Sequence, residues 1–369
     1  MDLDRHDFDL DDLVKRIKTN DNRLVALQVP EGLKMQALEM MDSIEDDSDA
    51  KVILAADPCY GACDLVHDKM RMMGVELVAH LGHSEMNIGS GMATRFIPVT
   101  YDGDPELESV LPIIERHRAI AISRFESSDH EIEIGEEKSK EIFLDAVGRI
   151  SPLSDYKLGL VGSIQHLHLL EEFKSRLEEC GFNVTIPIGG ERLSFPGQVL
   201  GCNYSGDDSS IGHYLFLGSG KFHPIGLVLH TGKPLAMLDP YTGEGSELSF
   251  SIIERILRQR FGLITSVDES ETFGILIGEK PGQMRRNLAI KMKKLLKRHG
   301  KKGYLLALDH VSPDLIDFYP VDAFVNTACP RIAIDDSTRY SKPLITPYEL
   351  EVALGEKKWE NGYQFDEIP

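Results

Sequence analysis

The chain has 369 residues, with 60 acidic and 40 basic side chains and a formal net charge of −20. That balance excludes a protein whose main task is to grip a phosphate backbone, so no direct nucleic-acid partner is expected. No apolar run approaches the roughly 18–20 residues of a membrane span, so no membrane partner is expected either.

Residues 1–12 are acidic and polar, without a basic stretch leading into an apolar one, so a cytoplasmic location is expected. The first structured stretch is an apolar strand at 24–30. A Glu31-Gly32 turn follows, then a helical pattern over 33–44 and a second strand at 51–56. Further strands are predicted at 75–81, 95–99 and 119–124. Residues 127–141, rich in Glu and Ser, read as an exposed insertion. The same rhythm returns with a strand at 158–164, a helix over 166–179 and strands at 182–188, 213–217 and 234–238, with a Gly/Asp/Ser loop at 204–210. It returns again with a strand at 273–278, a turn at Lys280-Pro-Gly-Gln283, a helix from 286 to 299 and strands at 303–308 and 322–327.

Strands alternating with helices of this length imply βαβ units and parallel sheets. The fold class is therefore α/β, as three similar parallel-sheet units in a pseudo-threefold arrangement around a common centre. The expected domains are 1–110, 111–247 and 248–369. The third helix is strongly basic, with nine Lys and Arg side chains between Arg285 and Lys302. It reads as a solvated face, with Arg285 at the helix start set apart.

Five cysteines in a chain of this size do not read as a disulfide framework. Cys59, Cys202 and Cys329 each lie beyond a predicted strand, one per unit. Sites in open α/β sheets form outside the carboxyl ends of strands, so three units facing one centre bring these thiols together. Three thiolates can hold a 4Fe–4S cluster and leave one iron open. Zinc competes for the thiols, although only Cys59 and Cys63 approach the close spacing of a structural zinc site. Cys63 reads as a small buried residue or spare thiol beside the first ligand, and Cys180 as a core or capping-region residue.

Two Gly-bearing turns also stand out. Gly218 and Gly220 follow a strand and offer backbone amides to a ribose, carboxylate or phosphate. In Pro281-Gly-Gln-Met-Arg285, an amide and a guanidinium at a helix start suit an amino-acid carboxylate. His230, just ahead of a strand, is the histidine to watch. No H-E-x-x-H, G-x-S-x-G or G-x-x-x-x-G-K-[ST] motif is present, so zincin, hydrolase and P-loop readings lack support.

Taken together, Asp57-Pro-Cys-Tyr-Gly-Ala-Cys-Asp64, Gly197-Gln-Val-Leu-Gly-Cys-Asn203, Gly218-Ser-Gly-Lys-Phe-His-Pro224, Asp239-Pro-Tyr-Thr242 and Ala328-Cys-Pro-Arg331 resemble archaeal diphthamide synthase, the 2-(3-amino-3-carboxypropyl)histidine synthase family. The resemblance runs from about residue 24 to about residue 351, and the insertion at 127–141 departs from it. It implies three α/β domains holding a 4Fe–4S cluster through the positions that match Cys59, Cys202 and Cys329. It implies a homodimer that transfers the 3-amino-3-carboxypropyl group of S-adenosylmethionine to carbon 2 of a histidine imidazole on translation elongation factor 2, the first step of diphthamide synthesis.

Carbon 2 is a poor nucleophile at neutral pH, so a radical route and an external electron donor are expected. Cys59 and Cys63 have no third cysteine at the spacing of the usual radical enzymes, so which C–S bond breaks depends on how the sulfonium is oriented. Gln283, Arg285 and His230 are the candidates for the methionyl end, and Gly218 and Gly220 for the nucleoside. The alternatives are a quinolinate-synthase-like dehydratase, a non-catalytic partner subunit and a zinc scaffold.

Overall fold

The computed structural model describes residues 6–86, 88, 91–101, 103–126 and 157–369. The predicted insertion at 127–141 lies outside the described residues. The first third runs β1 (His6–Asp7), α1 (Leu10–Thr19), β2 (Leu24–Gln28), α2 (Ala37–Asp46), β3 (Lys51–Leu54), α3 (His67–Met72), β4 (Leu77–Leu81), β5 (Thr94–Ile97) and β6 (Thr100–Tyr101). The second runs α4 (Leu111–Glu126), β7 (Lys157–Gly162), α5 (Leu170–Glu179), β8 (Val184–Thr185), β9 (Ile211–Leu217), α6 (Phe222–Thr231), β10 (Leu235–Leu238) and β11 (Gly245–Glu247). The last runs α7 (Phe250–Ser266), β12 (Thr272–Gly278), α8 (Arg286–Arg298), β13 (Lys302–Leu308), α9 (Pro313–Ile316), β14 (Ala323–Asn326), α10 (Pro330–Asp335), β15 (Leu344–Ile345) and α11 (Pro347–Ala353).

The strands form three main sheets, ordered β3-β2-β4-β5, β8-β7-β9-β10-β11 and β13-β12-β14-β15. Within each, the strand that comes first in the chain lies between the second and the third. Pairing is parallel throughout except at the edge strand β11. Each first strand also leaves its sheet through a short 3-10 turn, at Glu31–Leu33, Ile164–Leu169 and Pro281–Gln283. Three sheets with one strand order and one exit turn are a repeated unit.

Apolar clusters cover both faces of each sheet, which is why the strands read as near-continuous apolar runs. In the first sheet, Ile17 of α1 and Ile44 of α2 pack on Leu27, while Met70 of α3 packs with Ala26 and Val78 on the other face. In the second, Phe173 and Leu177 of α5 cover Leu160, and Leu227 of α6 with Ile253 of α7 covers Phe216. In the third, Met292 and Leu296 of α8 cover Ile275, and Ile316 and Ala333 lie with Phe324. Each fully buried Leu, Ile or Phe contributes about 1.5–3 kcal/mol.

Some expectations are corrected. Residues 119–124 belong to the helix α4, not to a strand. The buried Val110, Ile114 and His117 recur at helical spacing, and that longer period overrides the short alternation at 119–122. The strand expected at 182–188 is only the two-residue β8. β13 is not covered on both faces: it is a sheet edge, with Tyr304 and Leu305 exposed.

A buried ion pair locks the third unit. Arg260 of α7 donates to both carboxylate oxygens of Glu349 and to the carbonyls of Ala333 and Leu344. Glu349 also completes a capping box with Thr346 at the start of α11. Among the described residues, no helix is long and apolar enough to cross a membrane.

Candidate cluster site

The carboxyl ends of β3, β12 and β14 and the loop between β8 and β9 face a common region. Asp57–Asp64 turns back after β3, with Asp64 N–H donating to the Gly61 carbonyl and Tyr60 N–H to the Asp64 carboxylate. Cys63 of that turn lies against the exit turn of the third sheet. A Cβ on Gly282 would stand 2.5 Å from Cys63 Cβ and 3.3 Å from Arg192 Nη2. Gly282 is thus a close approach that a larger residue would block. Gln283 Nε2 lies 3.3 Å from Cys63 Sγ, and Arg192 Nη2 donates to the Gly282 carbonyl at 2.6 Å. Side chains from all three units meet at this one point.

The thiols divide into two groups. Cys63 is influenced by Cys329, Cys202 by Cys63, and Cys329 by Cys202, each neighbouring thiolate raising the other's pKa. Among the strongest influences on Cys59 the one thiol is Cys63, beside the carboxylate of Asp64. The structure therefore gathers Cys63, Cys202 and Cys329, whereas the sequence singled out Cys59 and set Cys63 aside. Cys59 is buried against His80 on the first unit's own side, its Sγ 3.9 Å from His80 Nε2. Cys180 is exposed at the C-cap of α5 and has no part in the site.

Burial pushes the Cys63 and Cys329 thiols up to about 12 and the Cys202 thiol up to about 11. Cations resist that shift: Arg192 at Cys202, Arg331 at Cys329 and Lys280 at Cys63. Around the thiols, Arg192 Nε, Arg331 Nη1 and Tyr204 Oη are buried without a hydrogen-bond partner. Three softly ligating sulfurs ringed by unspent donors fit an anionic metal–sulfur group. Coordination deprotonates thiols outright, and the donors offset the resulting charge.

The predicted methionyl-end residues are nearby but already engaged. Arg285 makes a bidentate pair with Asp366 at 2.8 and 2.6 Å and donates to the carbonyls of Thr327 and Ala328. Its guanidinium clamps the loop that carries Cys329, and a free carboxylate would have to displace Asp366. His230 Nδ1 stands 3.7 Å from Glu367 Oε2, with its ring beside Tyr204. Ile368 N–H donates to the Cys202 carbonyl at 2.9 Å, and Asn203 Nδ2 donates to the Ile368 carbonyl. Residues 362–369 thus form a strap across the second and third units.

Gly218 and Gly220 lie between β9 and α6 with φ of 152° and 74°. A Cβ on Gly218 would meet the Phe216 ring at 2.8 Å, while the space beside Gly220 is open. Gly218 is buried and its N–H donates to the Leu238 carbonyl at 3.1 Å, so of the two glycines only Gly220 leaves its backbone open. Arg192 escaped the sequence reading because only the fold brings it beside a thiol, whereas Arg331 and Tyr204 each stand two positions from a cysteine and could have been marked by that spacing.

The sequence model of the family described as "Putative diphthamide synthesis protein" matches residues 29–124 and 129–364. The chain is 34% identical to the 2-(3-amino-3-carboxypropyl)histidine synthase of Pyrococcus horikoshii, over 98% of this chain and 94% of that one. It is 25% identical to the enzyme of the same name from Methanocaldococcus jannaschii, over 94% and 88%. It is 28% identical to subunit 1 of the synthase from Gallus gallus, over 98% and 80%. The fold matches a crystal structure of Dph2 from Pyrococcus horikoshii with a 4Fe-4S cluster, with a TM-score of 0.78 and 32% identity, over 99% of this chain and 94% of that chain.

Proposed function

The chain belongs to the diphthamide synthesis protein family, and from that premise we propose that it transfers the 3-amino-3-carboxypropyl group of S-adenosylmethionine to carbon 2 of a histidine imidazole on translation elongation factor 2. The observation that carries this reading is the convergence of Cys63, Cys202 and Cys329 from three units onto one point flanked by unpartnered donors of Arg192, Arg331 and Tyr204. The family match removes the support for a dehydratase.

Cys63, Cys202 and Cys329 would hold a 4Fe–4S cluster of the kind named for the Pyrococcus structure. Cys63 would take the place expected of Cys59, supported by its nearness to both other thiols while Cys59 packs against His80. When bound and reduced by an external donor, such a cluster supplies one electron for breaking a carbon–sulfur bond.

The rest falls to the chain's own side chains. The open backbone at Gly220 would admit the nucleoside, with Gly218 shaping the turn beneath it. Gln283 and His230 face the methionyl amino and carboxylate groups. Arg285 acts through the Cys329 loop, holding the Thr327 and Ala328 carbonyls, and so is a positioning residue. Orientation of the sulfonium by these groups selects the bond to the aminocarboxypropyl carbon, with methylthioadenosine as the other product. A homodimer would form at the open edge of β13, where Tyr304 and Leu305 are exposed and the following segment exposes Leu315, Phe318 and Tyr319.

The test is label transfer. The anaerobically reconstituted, dithionite-reduced protein is mixed with elongation factor 2 and S-adenosylmethionine labelled in its carboxyl carbon. Label on the elongation factor is expected. No label with an intact, reducible cluster and a competent acceptor overturns the reading.

A further inference from the structure

Cys59 stands outside the three-thiol group, in a buried cluster of its own. His80, fully buried at the end of β4, has its Nε2 3.9 Å from Cys59 Sγ and 3.0 Å from His83 Nδ1. The three ligand atoms lie within 4.8 Å of one another. In a tetrahedral zinc site, sulfur–nitrogen and nitrogen–nitrogen edges are about 3.6 and about 3.3 Å, given the usual bond lengths. The two edges through His80 need shifts of about 0.3 Å to meet those values, and the Cys59–His83 edge, within 4.8 Å, closes by a rotation of the His83 side chain.

The surroundings select the ligating tautomer. Gln28 Nε2 donates to the Asp64 carbonyl at 2.7 Å, which turns Gln28 Oε1 toward His80 Nδ1 at 3.0 Å. His80 therefore carries its proton on Nδ1 and presents the Nε2 lone pair to Cys59 and His83. This is the outer-shell arrangement that fixes ligating histidines in metal sites. Burial pushes the pKa of His80 well below the ordinary value, and that of His83 down to about 4, so both rings are neutral, and His83 Nδ1 ligates once the proton it donates to His80 Nε2 moves to its own Nε2.

We propose that Cys59, His80 and His83 bind a zinc-class divalent cation, in a site separate from the three-thiol site and open at its fourth position. One thiolate with two imidazoles is a borderline donor set that suits zinc or cobalt over magnesium or calcium. The cation would tie the turn after β3 to the end of β4, and so hold the turn that presents Cys63. The proposal does not rest on the transfer reaction.

The test is a cobalt titration of metal-stripped protein under anaerobic conditions. It uses the full chain carrying Cys63→Ser, Cys202→Ser and Cys329→Ser, so that the other site cannot contribute thiolate. Uptake of about one cobalt, with tetrahedral d–d and thiolate charge-transfer absorption, is expected. Adding Cys59→Ser should abolish the charge-transfer band, and adding Gln28→Leu should weaken binding by about 10- to 100-fold. A folded triple variant that takes up no cobalt, or a thiolate band that survives Cys59→Ser, overturns the proposal. If the triple variant does not fold, the chain with its other cysteines intact decides. There, Cys59→Ser should bind one cobalt fewer, and equal stoichiometry overturns the proposal.

Discussion

At the scale of single residues, the decisive distinction is between two thiols four positions apart. Cys59 and Cys63 share one motif, and residue type and spacing do not separate them. The turn does, because it points Cys63 at Gly282 and Gln283 and leaves Cys59 beside His80. Cys63→Ser should therefore lose the iron–sulfur absorption of the reconstituted protein, while Cys59→Ser keeps it. Iron and sulfide analysis checks both, and the reverse pattern would restore Cys59 as ligand. Cys202 and Cys329 were legible because each is the one cysteine near a strand's carboxyl end in its unit. Arg285 was legible as a cation at a helix start. Its partner Asp366 was not, because no local pattern links positions that far apart in sequence.

At the scale of elements, hydrophobic periodicity was enough to find most strands of the three main sheets, whose central strands carry a strong apolar signal, and the helix after each first strand. It left the other helices unnamed, among them the long α7. It failed where two periods overlapped. In α4 a short alternating run sits inside a longer helical one, and the helix prevails. It also failed at β8, where the apolar pattern outruns the actual pairing. Nothing in sequence marked Arg260 as buried, because its acceptors come from three other segments. Replacing it with Ala would strand Glu349 in the core. Arg260→Ala should destabilise the protein by about 3–5 kcal/mol, read from denaturant melts. A loss below 1 kcal/mol would mean that water reaches the pair.

At the scale of the whole molecule, the repeated strand order explains how one site draws on three units. Similar sheets present similar carboxyl ends, and their turns meet. The equivalence is partial: Cys63 and Cys202 follow the second strand of their units, whereas Cys329 follows the third. The exposed edge of β13 breaks the repeat in another way, as a sheet margin left open. Leu305→Lys should weaken the proposed self-association roughly tenfold, measured by sedimentation. An unchanged dimer would place the contact elsewhere.

The dispersal of the three thiols along the chain also has a consequence in time. Cys63 leaves the ribosome long before Cys329, by on the order of tens of seconds at ordinary elongation rates. Through that interval the early thiols belong to units that can already fold, with no third ligand to meet. The pocket is therefore a late product of synthesis, and any inorganic cargo must reach a chain whose sheets are largely in place.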